Sequence, residues 1–95
     1  EYATRAARLS MNADTLDTLG FVQLKAGDAK EAVGVLSKAL ELRPDSASIQ
    51  YRLGLALAAS GDKEAARKVI GNALEKPPFP EAEAARAELA RLKNS

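Results

Sequence analysis

The stretch LDTLGFVQLKAGDAKEAVGVLSKALELRP, Leu16–Pro44, decides how this chain reads, because QYRLGLALAASGDKEAARKVIGNALEKPP, Gln50–Pro78, restates it. Leu19-Gly20 returns as Leu53-Gly54, Gly27-Asp28 as Gly61-Asp62, and Ala32 as Ala66. Leu36 returns as Ile70, Ala39-Leu40 as Ala73-Leu74, and Pro44 as Pro78, every pair 34 residues apart. One fixed period held across six landmarks in 95 residues is the mark of a stacked repeat.

Each copy divides into two helices. Asn12 and Ser46 stand 34 apart, each ahead of an apolar-periodic run, and both side chains carry an oxygen suited to capping a first turn. The first helix of the first copy (helix A) is expected over about 13–26, with Leu16, Leu19, Gly20 and Leu24 at helical spacing. Gly27 ends it, since glycine adopts the left-handed conformation at little cost. Asp28 is placed to cap the next helix, with Glu31 three residues on in a capping-box arrangement. Helix B follows over 29–42, with Ala32, Val33, Leu36, Ala39 and Leu40 on one face, and Pro44 stops it. The second copy repeats the plan over 47–59 and 63–75, using Ile49, Leu53, Gly54 and Leu57, then Ala66, Val69, Ile70, Ala73 and Leu74. Gly34 and Gly71 interrupt the B helices at non-equivalent positions, where only a close helix approach would account for them.

The flanks complete the plan. Ala6-Ala7-Arg8-Leu9 looks like Ala39-Leu40-Glu41-Leu42 one residue out of frame, so residues 1–10 read as the second helix of a partial upstream repeat. On that reading the chain is expected to be a piece of a longer array. Lys76-Pro77-Pro78-Phe79-Pro80 is a rigid corner, and Pro80 suits the first position of a last helix running to about Leu92. Its apolar stripe Ala82, Ala85, Leu89 and Leu92 is narrow and otherwise surrounded by charge, as a capping helix requires.

Composition narrows the function. The chain is 46% hydrophobic and 28% charged, which suits a folded protein, and 4% aromatic, which favours close-packed helices. Net charge is +1 with both signs interspersed, so nucleic acid has no basic stripe to bind. No apolar run approaches the roughly 20 residues of a membrane span. Histidine and cysteine are absent, which removes the commonest general base, thiolate chemistry and the commonest transition-metal ligands. Asp14 and Asp17, three apart, form the one carboxylate pair worth weighing as a dyad. Their place near a helix N-terminus explains them as dipole partners, and two carboxylates fall short of the six to eight oxygens calcium takes. The glycine pairs lack the Lys-Ser or Lys-Thr of a phosphate loop. No enzyme, metal or cofactor is expected.

Leu16, Leu19-Gly20, Ala32, Leu36, Ala39 and Pro44 resemble the tetratricopeptide repeat signature, as do Leu53-Gly54, Leu57, Ala66, Ile70, Ala73 and Pro78. Leu16 and Gln50 stand where the family often has tryptophan, and Gln23 and Leu57 where it often has an aromatic. The resemblance covers 13–78 and implies an all-α fold: a right-handed superhelical stack of antiparallel helix pairs with a C-terminal capping helix. The chain then divides as one domain over 1–95, with repeats at 12–44 and 46–78 and a cap at 80–93. Asp17-Thr18-Leu19-Gly20-Phe21, Ile49-Gln50-Tyr51-Arg52-Leu53 and the Phe79-Pro80-Glu81 helix are also similar to the C-terminal end of repeat lipoproteins associated with bacterial exosortase systems. That likeness implies a bacterial envelope location.

The family analogy places the A helices on the concave side, with Asp14, Asp17, Thr18, Phe21 and Lys25 facing the groove from the first repeat. Ser48, Tyr51, Arg52, Leu55 and Ala59 face it from the second. Phe21 and Leu55 are equivalent in the 34-residue frame and both apolar, a pairing suited to a partner helix or peptide. Tyr51 and Arg52 are of types enriched at binding hot spots. The expected partner-binding set is Asp17, Phe21, Lys25, Tyr51, Arg52 and Leu55. Some family members clamp a C-terminal carboxylate on these helices. Here the acidic Asp17 at a clamp position argues against that ligand. The competing reading is a purely structural cap of a longer array, whose uncovered N-terminal edge could also pair with a second copy.

Overall fold

Among the described residues, five helices follow from the caps and breakers of the sequence: α1 (Ala13–Lys25), α2 (Ala29–Leu42), α3 (Ala47–Ala59), α4 (Lys63–Leu74) and α5 (Ala82–Lys93). The structure, a computed structural model, describes residues 12–94, so the expected helix over 1–10 lies outside the described residues. Among the described residues there is no strand.

The caps act where the spacing put them. The Asn12 side chain accepts a hydrogen bond from Thr15 N–H at 2.8 Å, and Ser46 Oγ accepts from Ile49 N–H at 3.2 Å. At the other end of α1, Gly27 takes φ +91°. Asp28 N–H then donates to Gln23 C=O at 2.8 Å and Gly27 N–H to Leu24 C=O at 3.2 Å. Gly61 (φ +103°) repeats this beside α3, with Asp62 N–H donating to Leu57 C=O at 2.8 Å. These paired bonds are a Schellman ending, which satisfies the last carbonyls of each helix.

Three expectations are corrected here. Asp28 and Glu31 form no capping box: Asp28 N–H is already committed to Gln23, and the Asp28 side chain makes no cap bond, whereas Asp62 does accept from Ala65 N–H at 3.2 Å. Pro80 precedes the last helix instead of starting it. It follows Phe79, whose C=O accepts from Ala82 N–H at 3.0 Å, so proline occupies the second position of a turn and Glu81 becomes the N-cap. Gly34 and Gly71 do not mark close approaches, since a Cβ at either would meet nothing within 4 Å.

The close approaches lie at Gly20 and Gly54. A Cβ on Gly20 would sit 2.5 Å from Leu36 Cγ, and one on Gly54 2.9 Å from Ile70 Cδ1. Each pair of antiparallel helices, α1 with α2 and α3 with α4, therefore crosses with the bare glycine backbone against the largest buried side chain of its partner. Consecutive helices pack throughout, and α1 also meets α3. Ala32, Leu36, Leu53 and Ala56 form one buried cluster between the repeats; Ala66, Ile70, Ala85 and Leu92 form another beneath α5; Ala13, Ala39 and Ile49 form a third.

One apolar position departs from the expected core. Leu19 is 44% exposed and Val22 57%, yet their frame equivalents Leu53 and Ala56 are 7% and 0% exposed. The difference is what lies alongside: α2 covers that side of α3, and no described element covers that side of α1.

A candidate protein-binding cleft

Helices α1, α3 and α5 present one side of the stack, and between them lies an open cleft of about 510 Å³. Phe21, Leu24 and Lys25 come to it from α1, Leu55, Ala58 and Ala59 from α3, and Glu88 and Arg91 from α5. The first six are three frame-equivalent pairs, 34 residues apart, because identical helix geometry puts identical positions at the same height in adjacent repeats. Phe21 and Leu55 are half-buried, as are Leu24 and Ala58, which line the cleft with them.

The Phe21 ring is flanked by cations. Lys25 Nζ lies 5.2 Å from its centroid, one helical turn away on α1, and the Arg52 guanidinium carbon lies 5.1 Å from it across the helix boundary. Both are within cation–π range. Arg52 is a junction. Its Nη1 donates to Asp17 on α1 and its Nη2 to Glu81 Oε2, 3.4 Å away at the N-cap of α5, while Ser48 Oγ donates to Glu81 Oε1 at 2.7 Å. One guanidinium thus ties together three elements distant in sequence.

Burial and this pairing pull Asp17 in opposite directions. Its side chain is 14% exposed, and burial raises its pKa against the lowering effect of Arg52, with the nearby Asp14 and Glu81 charges adding to the rise. Burial wins, and the Asp17 pKa lies above the ordinary aspartate value. Asp14, by contrast, is exposed and pairs with Arg43 at 2.7 Å, a surface contact of little energetic weight.

Of the six expected binding residues, Phe21, Lys25 and Leu55 line the cleft together. Arg52 borders it through Phe21, with its charge engaged by carboxylates, and Asp17 is taken up as one of them. Tyr51 packs with Phe79 and Leu89 onto the Ala66, Ile70, Ala85 and Leu92 cluster beneath α5. Burial there, reinforced by the Glu88 and Glu81 charges, raises the Tyr51 pKa.

Leu24, Ala58, Glu88 and Arg91 were not among the expected set. The repeat frame pairs Leu24 with Ala58 and would have found them beside Phe21 and Leu55. Glu88 and Arg91 bond to each other at i, i+3 spacing and read from sequence as a solvated face of the last helix.

Among the described residues no three His, Cys, Asp or Glu side chains converge as a metal site needs, and no helix is long and apolar enough to cross a membrane. What the fold and cleft define is a helical-hairpin repeat protein with a groove across successive hairpins. The tetratricopeptide repeat family model matches residues 23–92, and the chain belongs to that family, whose repeats generally mediate protein–protein interaction. No curated protein matches the chain.

Proposed function

We propose that this chain is a protein–protein interaction module that binds a partner peptide or helix on the concave surface formed by α1, α3 and α5. The observation that carries the reading is the apolar lining that Phe21 and Leu24 share with their frame equivalents Leu55 and Ala58, bordered by Glu88 and Arg91 of α5. Burial of a partner's apolar side chains there would supply affinity, and the surrounding charges would set register. The likeness to exosortase-associated lipoproteins directs the search for that partner to a bacterial envelope, where the chain would form part of a larger scaffold.

The test is affinity capture from a bacterial envelope extract, comparing the chain with a Phe21→Ala/Leu55→Ala variant of matched helicity. A protein retained by the first and lost by the second is the expected result. Equal retention by both would remove the cleft from the function.

A second reading has its own observation. Leu19 and Val22 are exposed on the side of α1 where α2 covers their equivalents, as at the joint of a longer array, so the chain would serve as its structural end. In that case Phe21→Ala/Leu55→Ala leaves partner capture unchanged, and the isolated chain self-associates through α1. Sedimentation that shifts with concentration, and is abolished by Leu19→Ser/Val22→Ser, is the corresponding result.

A further inference from the structure

The charges around the cleft are unbalanced at both ends, in opposite senses. Arg91 is held by Glu88 through Nε at 3.2 Å and through Nη2. Lys25 lines the same end, exposed, and its ammonium meets no carboxylate among the described residues; it rests over the Phe21 ring instead. That end therefore carries one uncompensated positive charge. The other end is the reverse. Arg52 lies between two carboxylates, Asp17 and Glu81, which leaves one uncompensated negative charge. Asp17 and Lys25 are eight residues apart on α1, about 12 Å along its axis at 1.5 Å per residue. Phe21 lies midway between them.

Deepening the groove-binding reading, on which it rests, we propose that the cleft takes a dipolar partner segment: a large apolar side chain with an aspartate or glutamate on one side and a lysine or arginine on the other. The apolar side chain seats between Phe21 and Leu55. Lys25, on a flexible four-carbon stem, swings off the ring to meet the partner's carboxylate, giving up a contact that is weak at an exposed site. The partner's cation lies toward Asp17 and Glu81. An apolar segment without the acid leaves the ammonium over the ring it needs to cover. A segment with the charges reversed sets like charges together at both ends. The dipole thus fixes the direction in which the partner lies across α1 and α3.

The probe is a random-peptide display library, selected in parallel on the whole chain, on Lys25→Glu and on Phe21→Ala/Leu55→Ala, each checked for helicity. Peptides enriched on the unmodified chain are expected to share a large apolar residue flanked by an acid on one side and a base on the other. On Lys25→Glu the acid preference is lost, and a peptide selected on the unmodified chain binds about tenfold more weakly, as a charge pair turns from attraction to repulsion. Lys25→Met, which keeps the stem and removes the charge, is expected to fall between the two. Enriched peptides that need Phe21 and Leu55 but show no charge preference, or bind Lys25→Glu equally well, overturn the dipolar partner and leave groove binding standing. Absence of enrichment, or enrichment indifferent to Phe21→Ala/Leu55→Ala, overturns groove binding and this inference with it.

Discussion

Two glycines and two others of the same type make opposite demands on the fold. Gly54 faces Ile70, which is fully buried, β-branched and unable to turn aside. Gly54→Ala gains roughly 1 kcal/mol of helix propensity but overpacks the crossing, which costs about 1–3 kcal/mol. Gly20 meets Leu36 in the same way. Gly34 faces open space, so Gly34→Ala keeps the propensity gain alone. Urea unfolding should show a lower midpoint for Gly54→Ala and a higher one for Gly34→Ala. Midpoints that move together would contradict the packing account. Tyr51 makes a prediction in pH. Its folded pKa is raised, so above the unfolded value of about 10 the folded state holds a proton that the unfolded state has lost, and stability falls as pH rises further. The measurement is a difference between two variants. Tyr51→Phe should lose less stability between neutral and alkaline pH than the unmodified chain, and identical slopes would refute the assignment.

The helix starts differ in a way that can be weighed. Asp62 caps α4 through its side chain, whereas Asp28 caps α2 by position alone. Asp62→Ala should therefore cost about 1 kcal/mol, and Asp28→Ala only the few tenths that a charge near a helix N-terminus supplies. Thermal unfolding of the two variants checks the order. The helices themselves were legible in sequence because each end is punctuated locally, by Asn12, Ser46, Gly27, Gly61 and Pro44, and the repeat prints most of the signals twice. Pro80 was not legible as a turn residue. A proline before a helix fits either the first helical position or the turn ahead of it, and only the Phe79 to Ala82 bond decides. Among cleft residues, Phe21 and Leu55 could be paired from the frame because both repeats share one geometry. The burial of Tyr51 and the arrival of Glu88 and Arg91 depend on how α5 settles after the proline corner, where no second copy of the sequence exists for comparison.

Across the whole molecule the two ends of the stack are unlike. Toward the C-terminus, α5 closes the last hairpin with Ala85 and Leu92 against Ile70. Toward the N-terminus, α1 presents Leu19 and Val22 with no described neighbour over them. The Arg52 junction spans between, reaching α1, α3 and the start of α5 from the groove side while the apolar clusters lie between the helices. A stack of hairpins behaves as a spring, and this junction is a clasp across α1, α3 and the start of α5. If stretching the coil parts Asp17 and Glu81 from Arg52 before it disturbs the apolar layers, a share of the stiffness is ionic. Salt weakens such a clasp, though less than it weakens exposed pairs, because Arg52, Asp17 and Glu81 are in contact and partly buried. The radius of gyration from small-angle scattering should then grow with salt in the unmodified chain and stay constant in Arg52→Met, which begins relaxed. If both respond alike, the junction carries no tension. If they differ, the width of the groove, and with it the reach of whatever lies in it, is set by the ionic strength of the medium.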